Sequence, residues 1–106
     1  MKLNVLERIT ALGILPKEGN FATLKIVNDL RMVLSLTEDE YKEFEVKQET
    51  QQDGDRLVWN LKGQEEREIE IGEKATDVIV DSLKELDKTK KLTQELFGLY
   101  GKFIEG

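Results

Sequence analysis

The sequence predicts an α+β fold: two or three N-terminal helices, a three-stranded antiparallel meander, and two C-terminal helices packed on one side of it. Three observations carry this expectation. Apolar residues recur at three- and four-residue spacing over roughly the first third of the chain and again over the last third. Alternation marks Leu57, Trp59 and Leu61, and then Arg67, Ile69 and Ile71 against Glu66, Glu68 and Glu70. Asn4 with Glu7, and Thr37 with Glu40, have the spacing of a capping box, in which side chain and backbone satisfy each other at a helix start.

Taken in order, residues 3–12 read as a helix with Leu3, Leu6, Ile9 and Leu12 as its stripe and Gly13 as its stop. Pro16 biases Leu15 towards an extended backbone, Gly19 suits a positive φ, and Asn20 suits an N-cap. Residues 20–36 are the most apolar long stretch, with Phe21, Leu24, Val27, Leu30 and Leu34 on one face and Ile26 and Val33 widening it. This reads as the central helix, with neighbours on two sides. Thr37 then opens a short helix, 38–44, carrying Tyr41 and Phe44 on one face, with Leu36 and Tyr41 as its hydrophobic staple.

Strands are expected at 46–50 and 56–61, joined through Gln51, Gln52, Asp53 and Gly54, with a third at 66–71 after the turn Lys62-Gly63-Gln64-Glu65. Gly72 ends the sheet. A helix from Glu73 to about Lys90 presents Ala75, Ile79, Leu83 and Leu86, with Val78, on its apolar side and Val80 near the opposite one. The last helix, capped by Thr93, carries Leu96, Phe97, Tyr100, Phe103 and Ile104, with Gly98 and Gly101 weakening it.

Composition bounds the function. At 106 residues, 39% hydrophobic and 36% charged, residues 1–106 suit a single domain with a heavily charged surface. The chain has no cysteine and no histidine. Disulfides and thiol chemistry are therefore excluded, together with the commonest general base and transition-metal ligand. No uninterrupted apolar run follows Met1, so a cytoplasmic protein is expected, with no membrane insertion. The net charge of −6 divides into +2 for residues 1–36, −8 for 37–73 and 0 for 74–106. Such a middle third repels phosphates, and direct nucleic-acid binding is not expected.

No motif identifies a reaction. Pro16-Lys17-Glu18-Gly19-Asn20 lacks the glycines of a phosphate loop and reads as a turn plus cap. Asp53-Gly54-Asp55 begins like a calcium loop, but Leu57 and Trp59 fall on later ligand positions. Ser35 and Ser82 have no histidine to activate them. No catalytic residue, metal site or cofactor is expected, and the chain reads as a non-enzyme. The opening order of helices and hairpin resembles that of a winged-helix DNA-binding domain in order only. Its recognition helix would carry Glu38, Asp39, Glu40 and Glu43, the wrong sign for a groove lined by phosphates.

Several segments carry a broader resemblance: Leu15-Pro16-Lys17-Glu18-Gly19-Asn20-Phe21-Ala22-Thr23-Leu24, Trp59-Asn60, Glu68-Ile69-Glu70-Ile71-Gly72-Glu73-Lys74, Leu92-Thr93, Leu99-Tyr100 and Lys102-Phe103. In these the chain is similar to small uncharacterised proteins encoded by phages and prophages of Gram-positive bacteria. The resemblance implies a small accessory protein acting in the cytoplasm of the bacterial host, and it transfers no active-site residue.

Two functions are expected from different classes. The first is a protein-interaction module, an assembly factor or host-protein binder, with Phe97, Tyr100, Phe103 and Ile104 as its interface. Its partner is a protein of unknown identity or a second copy of the chain. The second is an acidic imitation of nucleic acid that occupies the basic groove of a DNA-binding host protein, through Glu38, Asp39, Glu40, Glu43, Glu45, Glu66, Glu68 and Glu70. A core role for the aromatics and a merely solvated acidic face are the plainer readings.

Overall fold

The computed structural model describes residues 1–51 and 54–105. These contain five α-helices and two separate two-stranded antiparallel sheets. Strand β1 (Lys2–Leu3) leads into α1 (Val5–Ile14), α2 (Phe21–Leu34) and α3 (Glu38–Glu43). A hairpin follows, β2 (Lys47–Gln51) and β3 (Gly54–Val58), then a 3-10 turn, Leu61–Gln64, and β4 (Arg67–Glu68). Helices α4 (Glu73–Lys88) and α5 (Gln94–Tyr100) come next, and α5 widens into a π-helical turn over Gly101–Glu105.

The helix starts are set locally. Asn4 Oδ1 accepts from Glu7 N at 2.9 Å while Asn4 N donates to Glu7 Oε1 at 3.0 Å. Thr37 and Glu40 repeat the arrangement at α3, and Asn20 Oδ1 accepts from Thr23 N at 2.8 Å at α2. Each bond satisfies a backbone donor that a helix start leaves orphaned. Thr93 makes no such side-chain bond at the start of α5. The ends differ from expectation. Gly13 lies inside α1, which runs on to Ile14, and Gly19 has no positive φ. The left-handed positions are instead Glu45 and Lys90. At α3 Val46 N donates to Tyr41 O at 3.0 Å, and at α4 Lys91 N donates to Leu86 O at 2.8 Å. Both are the six-to-one bond of a Schellman cap, whose carbonyl satisfaction offsets the strain of a side chain at positive φ.

The expected three-stranded meander is not formed. Among the described residues β4 pairs with β1, Leu3 opposite Arg67 and Lys2 opposite Glu68, while β2 and β3 pair only with each other. The chain leaves β3 at Val58, and Asn60 caps the 3-10 turn by accepting from Lys62 N at 3.0 Å. The Trp59 ring packs on Gly63 so closely that it leaves no room for a Cβ there. Leu57 and Leu61 are exposed, so no buried face runs through 57–61. The alternation at 66–71 does hold, with Ile69 buried and Glu66, Glu68 and Glu70 outward. The expected turn residues Gln52 and Asp53, the latter also the first position of the rejected calcium loop, lie outside the described residues.

The core brings together Leu3, Ala11, Leu15 and Ile69 with Val27, Leu30 and Leu34 of α2, Ile79 and Leu83 of α4, and Leu96 and Leu99 of α5. The helix at its centre is α1, which packs on α2, α4, α5 and the 3-10 turn. Its buried residues are Val5, Glu7, Arg8 and Ala11; Leu3 belongs to β1, and Leu6 is exposed. The central role expected of residues 20–36 therefore passes to α1. Helix α2 packs on α1 and α4 through one face and leaves Phe21, Leu24, Met32 and Val33 exposed. Hydrophobic periodicity measured the apolar content of α2, not the coverage it receives. Among the described residues no helix is long and apolar enough to cross a membrane.

Candidate functional site

The acidic candidates divide into two sets. Glu40 accepts from Arg8 Nη1 at 2.6 Å and Nη2 at 3.1 Å, and lies 3.5 Å from Arg67 Nη1. Arg67 also binds Glu43 and sets its guanidinium 4.7 Å from the centre of the buried Phe44 ring. Arg8, itself buried, donates further to Leu34 O at 3.0 Å and Ser35 O at 2.7 Å, closing the end of α2. The Arg8 guanidinium holds the Glu40 carboxyl down at about 2, against partial burial, with help from Thr37 N and Arg67. Glu66 binds Lys102, and the amino group of Met1 lies 3.0 Å from Glu68. Lys102 also donates to Glu7 Oε1 at 2.7 Å and Lys2 O at 2.8 Å, so it fastens the π-turn to the start of α1. Burial would lower the Lys102 pKa, but its bonds to Glu66 and Glu7 outweigh that and raise it.

Glu40, Glu43, Glu66 and Glu68 are thus engaged by internal cations. Glu38, Asp39, Glu45 and Glu70 are exposed and make no ion pair among the described residues. No cluster of three potential metal ligands occurs among the described residues.

The aromatic candidates divide as well. Helix α5 buries Leu96 and Leu99, and Tyr100, Phe103 and Ile104 pack half-buried against the core. Phe97 lies one residue off that stripe and is 78% exposed. It stands beside a recess of about 350 Å³ whose walls include Leu92, Tyr100 and Gly101, with Asp87 and Glu105 at polar positions. The Tyr100 hydroxyl lies 3.3 Å from Asp87 Oδ2. Loss of hydration and the Asp87 charge both push its phenol above the ordinary value. The π-turn forms one side of this recess through Gly101 and Glu105.

No family model, curated protein or solved structure matches the chain. Sequence reasoning found Glu7 as a capping partner of Asn4 but missed its tie to Lys102, and it missed Arg8 and Lys102 altogether. Arg8 had a visible signal, since it lies three residues from both Val5 and Ala11 on what becomes the buried face. Lys102 had none, because its partners Glu7 and Glu66 are distant in sequence.

Proposed function

We propose that this chain is a non-catalytic protein-interaction module whose contact surface is α5 with its π-turn. The observation that carries the reading is Phe97, 78% exposed beside the recess next to Tyr100 and Leu92. A rigid aromatic on a helix, beside a concave and partly apolar surface, is the arrangement from which interface anchors are built. Tyr100, Phe103 and Ile104 support it from behind by fixing the helix on the core. The similarity to phage and prophage proteins supplies the setting: an accessory protein, assembly factor or host-protein binder, in the cytoplasm of an infected or lysogenic cell.

Nucleic-acid imitation is the second reading, favoured by the net charge of −6 and the exposed Glu38, Asp39, Glu45 and Glu70. It has less support, because Arg8, Arg67, Lys102 and the Met1 amino group already engage half of the acidic set.

Affinity capture from host lysate, at low and high salt, tests both with the wild type and Phe97→Ser. The expected outcome is a protein retained at high salt and lost with Phe97→Ser. A DNA-binding protein retained only at low salt, and equally by both baits, would replace this reading with the acidic one, since exposed charges are screened by salt.

A further inference from the structure

Helix α2 has an outer face that the fold leaves uncovered. Phe21 and Met32 are 84% and 73% exposed, the two most exposed large apolar side chains on that helix, and Leu24 is also exposed. At 3.6 residues per turn, Phe21, Lys25, Asn28 and Met32 fall on one stripe, opposite the buried Val27, Leu30 and Leu34. Asp29 lies along the same flank as Lys25. Neither Lys25 nor Asp29 makes an ion pair among the described residues.

We propose that this face is a self-association surface, and that its occupant is α2 of a second copy of the chain, packed antiparallel across a two-fold axis near Ile26 and Val27. The pattern is self-complementary in that orientation and in no parallel one. A two-fold contact must use the same patch twice. Placing Phe21 of one copy against Met32 of the other brings an aromatic ring to a thioether at both ends of the stripe, a favourable sulfur–ring contact. The same register sets Lys25 of each copy beside Asp29 of the other. A parallel pairing would oppose Lys25 to Lys25 and Asp29 to Asp29, and like charges reject that register.

The contact is a modest one. A helix of 14 residues is about 21 Å long. One such helix covers less than the roughly 800 Å² per partner typical of a stable complex. The dimer therefore forms with a dissociation constant in the micromolar range or weaker and is concentration-dependent. It is independent of Phe97, which lies on α5, and it gives a dimer two copies of that contact surface, which raises avidity for a repetitive partner.

Sedimentation equilibrium of the full chain, from about 1 µM to about 1 mM, reads this directly. The expected result is a mass rising from the 12.2 kDa of one chain towards twice that value. F21S/M32S, at exposed positions, should leave the circular dichroism unchanged and weaken association at least about tenfold. K25E and D29K should each weaken it roughly threefold to tenfold, and K25E/D29K should restore it, because the swap rebuilds both cross-pairs. Asn28→Cys, introduced into a chain without cysteine, should form a disulfide-linked dimer under mild oxidation, and Glu38→Cys should not. A monomer at every concentration overturns the proposal, as does a dimer indifferent to F21S/M32S or a charge swap that fails to restore association.

Discussion

Helix α1 and the β2–β3 hairpin are held in opposite ways. Helix α1 is short and carries Glu7 and Arg8 among its buried residues, yet it is the most enclosed element of the fold. Arg8 ties it to the end of α2 and to Glu40, and Glu7 ties it to Lys102 of the π-turn. The hairpin has a full ladder between its own strands, from Lys47 opposite Val58 to Gln51 opposite Gly54. Its side chains from Lys47 to Thr50 and from Asp55 to Leu57 are nevertheless exposed. It joins the body at its base, where Asn60 N donates to Phe44 O at 2.8 Å and Asn60 Nδ2 to Glu43 O at 3.0 Å. The contrast teaches that regular backbone pairing does not by itself couple an element to the fold. Buried contacts, apolar or fully satisfied polar ones, do that.

The largest effect should come from breaking α1's attachment. Arg8→Met removes a buried cation, leaves the Leu34 and Ser35 carbonyls without their donor, and leaves the partly buried Glu40 charge with only Arg67, at 3.5 Å, as its cation among the described residues. Loss of about 3 kcal/mol is expected, read as a lower urea midpoint at unchanged slope. Adding Glu40→Gln should recover part of it, because the stranded charge is then gone. Additive losses in the double variant would show that the Arg8–Glu40 coupling contributes little.

Acid should attack the same attachment by a different route. The Glu40 carboxyl is ionised in the fold down to about pH 2, from an ordinary value of 4.5. The unfolded chain takes up that proton first as pH falls, so the depressed pKa stabilises the fold above about pH 5. That contribution, about 2 to 3 kcal/mol, is lost between about pH 5 and pH 2 and does not return at lower pH. Denaturant midpoints measured across that window should fall in the wild type and fall less in Glu40→Gln. Equal slopes in the two proteins would mean that other carboxylates dominate the acid response.

These two regions also mark what the sequence makes legible. Helix starts were readable because a cap is local: Asn4 with Glu7 and Thr37 with Glu40 are three residues apart and satisfy one another. The hairpin was readable because its turn signal at Gly54 is local, although the alternation of Leu57, Trp59 and Leu61 runs past the end of β3 and marks no buried face. The partner of residues 66–71 was not readable. Alternation says which side chains face in and nothing about which edge they join, and β4 joins β1 from the other end of the chain. Helix ends failed for another reason. Glu45 and Lys90 occupy left-handed positions that glycine usually takes, while Gly13 and Gly19 occupy ordinary ones. The Phe97 and α2 surfaces were half legible: the apolar residues were visible, and only packing could show which of them the fold leaves uncovered.

The smallest effect should come from the hairpin, at Gly54. Its φ of +122° lies in a region that a Cβ strongly disfavours, although nothing crowds the position in space. Gly54→Ala therefore strains the turn itself, by about 1 to 3 kcal/mol in local terms. Global stability should fall by much less, about 0.5 kcal/mol or under, because an element attached mainly at its base can open without unfolding α1. Opening limits the loss to the hairpin's own stability. Hydrogen exchange separates the two levels: amides of residues 47–51 and 54–58 should exchange faster in Gly54→Ala, while those of α1 and α4 stay as protected as in the wild type. If α1 loses protection in step with the hairpin, the two regions form one cooperative unit and the ladder is coupled to the core after all.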